Sequence, residues 1–242
     1  MIRHLLPLAL VLLVLPRPAD AQIHEPLPQS RFAISPFVGY RVSFRVTGNR
    51  VWEGENGPVG GRFEETRNGG AAVGAEAEMR LTGPFHLIGA LAYSRPDSIT
   101  GTIRLAQGEA SYETDGARVW FARAGLAYRL PDPDPDRRRF RPAGFIFAAP
   151  ALVRESSAGA DLFSPDADGR SIDHWAVNLG ANVVAPLGSP RVAFALGLED
   201  FITFWNTAEL ERRFEQNYGA PARFAFDQSH ILLLRAGISL RF

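Results

Sequence analysis

Ionised residues in this chain sit one position away from apolar ones, over and over. Between Phe32 and Val46 the even positions are Phe, Ile, Pro, Val, Tyr, Val, Phe and Val, and the odd positions include Arg41 and Arg45. Glu76, Glu78 and Arg80 interleave with Ala75, Ala77, Met79 and Leu81. Arg123 stands between Ala122 and Ala124, Glu199 follows Leu198, and Arg235 stands between Leu234 and Ala236. A side-chain period of two sends the charged and apolar sets to opposite faces of extended segments. Eight charges facing one enclosed space allow two kinds of chemistry: a gated ion path, or a plug in which every charge is paired because an unpaired buried charge is costly.

Nucleophilic chemistry has one candidate. Ser171, Asp173 and His174 fall in a polar segment before an apolar run, and a Ser/His/Asp trio there would suit a hydrolase acting at a rim. His86 has no Ser or Asp fixed beside it, and His230 begins the last alternating segment on its apolar face. Asp161, Asp166 and Asp168 are oxygen donors without the later bidentate Glu of a calcium loop. The reading is therefore no catalytic residues, no metal and no cofactor. All 26 basic residues are arginine and balance 26 acidic ones, so nothing favours a nucleic-acid partner. Cysteine is absent, which excludes disulfides and thiolate zinc sites.

The elements that must position these residues are strands. Eight alternating segments run at Phe32–Val46, Ala71–Leu81, from Phe85, and at Ala117–Leu130, Ala143–Arg154, Trp175–Leu187, Arg191–Trp205 and His230–Phe242. The fifth is apolar on both faces, so its register stays open. Glu199-Asp200 interrupts the seventh: either Asp200 lies above an apolar band, or a bulge turns both acids inward and Phe201, Thr203 and Trp205 outward. Tight or medium connections, such as Thr82-Gly83-Pro84, Gly188-Ser189-Pro190 and 131–142, alternate with long polar ones near 47–70, 95–116, 155–174 and 206–229. Short turns at one end and long loops at the other are the pattern of a membrane-spanning barrel.

The aromatic residues sort by height in the same threading. Phe32, Phe85, Tyr128, Phe145 and Phe242 fall near one rim, and Phe44, Tyr93, Trp120, Trp175 and Phe204 near the other. Girdles at both interfaces suit a lipid-facing surface. Loop one is glycine-rich, and loop four holds Phe214, Tyr218, Phe224 and Phe226, which either grip a partner or pack over the barrel mouth as a lid.

The ends complete the pattern. Leu5 to Leu15 is an apolar run too short to span a membrane as a helix, and Ala19-Asp20-Ala21 fits a small-x-small cleavage site. Residues 1–21 read as a signal peptide and 22–242 as one barrel domain. The final Ser239-Leu240-Arg241-Phe242, with its terminal aromatic, resembles the sorting signal of bacterial outer-membrane barrels. Over roughly 32–242 the chain resembles the small eight-stranded outer-membrane barrels of the OmpA and OmpX type. That resemblance implies an all-β, eight-stranded, antiparallel up-and-down transmembrane β-barrel with both termini periplasmic. It implies a monomer whose partners are outer-membrane lipid and the barrel-assembly machinery, the latter reading Phe242. Arg41, Arg45, Glu76, Glu78, Arg80, Arg123, Glu199 and Arg235 would then fill a lumen just wide enough for side chains. The expected role is structural or interaction-based, through four external loops. The alternatives are a narrow channel for small solutes or hydrophobic ligands, and a rim-site lipid-modifying enzyme.

Overall fold

A computed structural model describes residues 31–54, 57–95, 98–105, 108–131, 142–156, 171–189, 191–218, 221–226 and 228–242. Ala19, Ala21 and the aspartates at 161, 166 and 168 lie outside the described residues. Among the described residues there are thirteen strands and one helix. The strands are β1 (Phe32–Arg41), β2 (Phe44–Gly54), β3 (Gly57–Arg67), β4 (Gly70–Arg80), β5 (Phe85–Ser94), β6 (Ser98–Leu105) and β7 (Gly108–Asp115). They continue as β8 (Arg118–Arg129), β9 (Ala143–Ser156), β10 (Ser171–Ser189), β11 (Val192–Phe204), β12 (Ala222–Phe226) and β13 (Ser229–Arg241), with α1 (Thr207–Tyr218) between β11 and β12.

Eight strands close a barrel in the order β1-β13-β11-β10-β9-β8-β5-β4, each antiparallel to its neighbours. First and last strands meet, with Tyr40 opposite Leu234 and Ala33 opposite Arg241, so the barrel has no free edge. The turns after β4 and β10 mark one end, called here the turn end, together with Phe32 and Phe242.

The alternation is inverted relative to a soluble protein. On β13, Ile231, Leu233, Arg235 and Ser239 are buried, whereas Leu232, Leu234, Ile238 and Leu240 are exposed. Val38, Val73, Leu91, Leu126, Val183 and Leu196 extend this apolar belt around the barrel. A belt this continuous is stable against hydrocarbon and not against water. Aromatic pairs frame it. Phe32–Phe242 and Phe85–Tyr128 meet at the turn end, at ring separations of 6.4 and 5.6 Å. Tyr93–Trp120 meet at 4.8 Å at the loop end, beside exposed Tyr40, Trp175 and Phe204. Phe145 departs from its expected rim position, because its parity on β9 turns it into the lumen.

The first expected strand divides. The ladder breaks at Val42 and Ser43, and β2 leaves the barrel to join a second sheet of order β12-β2-β3-β6-β7 above the loop end. Phe44 is therefore buried beneath that sheet and is not part of an outer girdle. Arg45 also leaves the lumen: it is exposed and pairs with Glu64 at 3.0 Å. The period of two survives the break because both sheets share it. The long connections one, two and four are thus built structure, and their hairpins β2–β3 and β6–β7 pair through β3 and β6.

No bulge lies at Glu199-Asp200. Register is continuous from Trp175 opposite Phe204 to Pro186 opposite Ala193. Glu199, Phe201 and Thr203 therefore face inward and Asp200 faces outward.

Arginine at Leu126, Leu196 or Leu234 is expected to cost about 2–4 kcal/mol near the midplane of a bilayer. Equilibrium unfolding in lipid vesicles measures it. An unchanged midpoint would mean that these positions do not face lipid.

Candidate functional site

Inward parity brings charges from four strands to mid-lumen. Arg123 from β8 donates Nε and Nη2 to the two oxygens of Glu199 on β11, each at 3.0 Å. The same guanidinium donates to Glu76 Oε2 on β4. Arg235 from β13 donates Nη2 to Glu76 Oε2 at 2.7 Å, and its Nε lies 2.7 Å from Glu199 Oε1 at an angle outside hydrogen-bond range. Asn182 on β10 donates to Glu76 Oε1 at 3.4 Å. Two guanidiniums and two carboxylates thus form a closed ring of zero net charge. Glu199 is 1% exposed and Arg123 is 5% exposed. Aromatic faces complete the shell, Phe147 at 4.2 Å from the Arg123 guanidinium carbon and Phe37 at 5.0 Å from that of Arg235.

Close packing makes the ring possible. A Cβ on Gly197 would collide with Asn182 Oδ1 and lie 2.7 Å from Arg235 Nε, and one on Gly180 would collide with Phe147. These inward glycines provide the room that the large groups fill.

The remaining expected lumen residues are distributed along the barrel, so the charges form separate layers and not one network. Glu78 reaches His86 toward the turn end, Oε1 to Nδ1 at 2.7 Å, again off hydrogen-bond angle. Arg80 shares that face and is half-buried at the end of β4. Arg41 is fully buried but belongs to the loop end, where it donates to Asn68 O and to Ser94 Oγ at 3.4 Å. Beside it Arg67 of β3 pairs with Glu155 of β9 and, at 3.3 Å, with Glu65. Sequence reasoning missed this second layer. Its signal was present, since Glu65 and Arg67 keep parity in loop one and Glu155 directly follows the fifth segment, which β9 extends to Ser156. An apolar layer of Phe121, Phe201, Ile231, Leu233 and Val153 lies inside the barrel with these charges.

The hydrolytic trio is not assembled. β10 begins at Ser171, so successive residues point to opposite faces: Asp173 turns outward to Arg154, at 2.6 Å, and His174 turns inward. His230 instead meets Asp200 on the outer face, Nδ1 to Oδ2 at 2.8 Å. In loop four, Phe224 is buried and Phe226 stacks on Trp205 at 5.4 Å, so these two aromatics pack as a lid. The side chains of Phe214 and Tyr218 lie outside the described residues.

No protein-family model matches the chain, and no curated protein is significantly similar to it. The outer membrane protein OprG from Pseudomonas aeruginosa is similar in structure, with 10% identity, a TM-score of 0.52, and coverage of 88% of this chain and 97% of OprG. Neisserial surface protein A shows 12% identity and a TM-score of 0.45, covering 88% of this chain and 98% of that one. The likeness to OprG is one of fold: a small outer-membrane barrel, closed here by eight strands as in the OmpA and OmpX type.

Glu76→Ala or Glu199→Ala strands a buried guanidinium and is expected to cost about 3–5 kcal/mol of barrel stability. Glu64→Ala, which breaks an exposed pair, is expected to cost about 0–1 kcal/mol. Denaturant titration of the three variants checks the order, and a double-mutant cycle on Arg123 and Glu199 should show strong coupling.

Proposed function

We propose that this OmpA/OmpX-type barrel resides in a bacterial outer membrane as a closed, monomeric scaffold. In this reading it presents its loop-end sheet to the exterior and keeps both termini periplasmic. The observation that carries the closed reading is the neutral ring of Arg123, Glu76, Glu199 and Arg235. An eight-stranded lumen has no space for bulk water beside such a ring, and each charge already holds its partners. The capped mouth supports it further, with Phe44, Val46 and Phe63 of the loop sheet packed onto Phe121, Val153 and Phe201 of the barrel.

The interaction role rests on the loop sheet. Its outer face carries charged groups: Arg45 and Glu64 pair there, Arg104 and Glu109 pair at 3.0 Å, and Arg62 stands opposite Arg104. Thr66, Thr100 and Glu113 align in a row across three strands. Built strands hold these groups at fixed spacing, as a binding face requires.

Two measurements test the reading. In planar bilayers the purified protein should show no steady ion conductance. Stable open-channel steps in the unmodified protein would replace the closed scaffold with the narrow-channel alternative. The chain has no cysteine, so Ser111→Cys on β7 gives a single thiol. A membrane-impermeant maleimide should label it on intact cells. Labelling only after the outer membrane is broken would reverse the orientation.

A further inference from the structure

His174 occupies the junction between the barrel and its lid. It is 1% exposed, near the loop end of β10. Its Nδ1 lies 3.1 Å from the backbone nitrogen of Asn206. A peptide N–H only donates, so Nδ1 carries a lone pair and the imidazole is neutral. Asn206 is the N-cap of α1, since its Oδ1 accepts from the Glu209 N–H and its carbonyl accepts from the Leu210 N–H, each at 3.3 Å. The imidazole also packs on Trp205 at 4.6 Å. Trp205 donates to Ser229 Oγ at 2.9 Å and stacks on Phe226 of β12, which in turn meets Phe63 of β3 at 5.2 Å. One histidine thus ties a barrel strand to the start of α1 and to the aromatic stack beneath the loop sheet.

We propose that His174 is an acid-sensitive latch, and that protonating it releases the start of α1 from the barrel mouth. Protonation turns Nδ1 into a donor and sets it against the Asn206 N–H. It also places a cation at the positive end of the α1 dipole. The groups that face the ring from each element are Glu155 on β9, Arg67 on β3, Arg213 on α1 and its own neighbour Asp173, with Arg41 of β1 behind Glu155. Glu155 is already engaged by Arg67, and Asp173 is turned outward to Arg154. The new cation faces the guanidiniums of Arg67 and Arg213 as well as Glu155, which Arg67 already engages, so the Asn206 contact is lost and the start of α1 moves toward solvent. The tie from Arg213 to Ser171 O, at 2.7 Å, binds the middle of the helix and not its start, and β12 stays paired with β2. The mid-lumen ring takes no part, so the barrel stays closed while the start of α1 opens. The latch does not depend on which membrane holds the barrel.

Hydrogen exchange of the protein in lipid nanodiscs tests this at about pH 7.5 and about pH 5.5, either side of the ordinary histidine range. After correction for intrinsic exchange, amides of the first turn of α1 in the unmodified protein should lose protection about tenfold at the lower pH, the equivalent of one pKa unit of coupling. His174→Gln keeps an acceptor for Asn206 that does not titrate in this range, so its α1 should stay protected at both. Retained protection in the unmodified protein, or equal loss in His174→Gln, overturns the latch. Glu209 on α1 also titrates in acid, but its hydrogen bonds from Arg212 and Arg213 hold it below the usual carboxylate range, outside this window. If His174→Gln does not fold, an NMR titration of the His174 imidazole in the unmodified protein decides. Its midpoint should coincide with the loss of α1 protection, and protonation with α1 still protected overturns the proposal.

Discussion

Everything in this barrel depends on the neutrality of its interior. Charges removed from water are tolerated only when each finds a counter-charge and enough hydrogen bonds. The ring of Arg123, Glu199, Arg235 and Glu76 meets that condition with residues from β4, β8, β11 and β13. It therefore couples β4 and β8, which do not pair with each other or with the neighbours β11 and β13, and fixes the register of each relative to the rest. A one-residue slip in any of the four would turn its charge out to the apolar belt and leave the partner unpaired. The small residues obey the same constraint, because Gly180 and Gly197 make room for Phe147 and for the Arg235–Asn182 contact.

The loop end meets the problem a second time, with a different outcome. There the counter-charges come from different sheets, Arg67 from the loop sheet and Glu155 from the barrel. Separating the two would expose a stack of aromatics and part Glu155 from its arginine, so the lid is held by ionic and apolar terms together. That layer lies beside His174, whose neutral state the Asn206 hydrogen bond demands. The mid-lumen ring has no histidine among its members. Among these two layers, acid sensitivity is thus confined to the one that can move without opening the barrel.

The barrel was legible in the sequence because a period of two along a strand directly records an inside and an outside. All eight barrel strands start within four residues of where alternation places them; the tight turn at Thr82 lies between β4 and β5, while Gly188 and Ser189 end β10. Pairing was less legible. Parity says that Glu76 and Arg123 face inward but not at what height, and height depends on the stagger between strands. Hence Arg41 was grouped with a ring that lies a layer below it. Phe44 and Arg45 were misplaced for a related reason: alternation runs unbroken from β1 into β2, and nothing in Val42-Ser43 signals a change of sheet. The fold of the long loops was hidden because polar, glycine-rich strands look like coil until a neighbour pairs with them.

Asp200 faces the other side of the wall. Its carboxylate points out of the barrel among Leu198, Ile202 and Leu232, where a partner lowers the cost of its charge. Continuous register leaves no bulge to turn it inward. Instead His230 reaches it diagonally across β11 and β13, from a position four residues before the exposed Leu234 and one pair below Thr203 and Ser229. The pair sits near the level of Trp175 and Phe204, where an aromatic girdle meets the polar interface. A histidine there can reach solvent while its partner stays at the edge of the apolar belt. The outward break in the alternation at Glu199-Asp200 is therefore two acids partnered on two faces. Glu199 is neutralised by arginines within the barrel, and Asp200 meets the His230 ring at the interface.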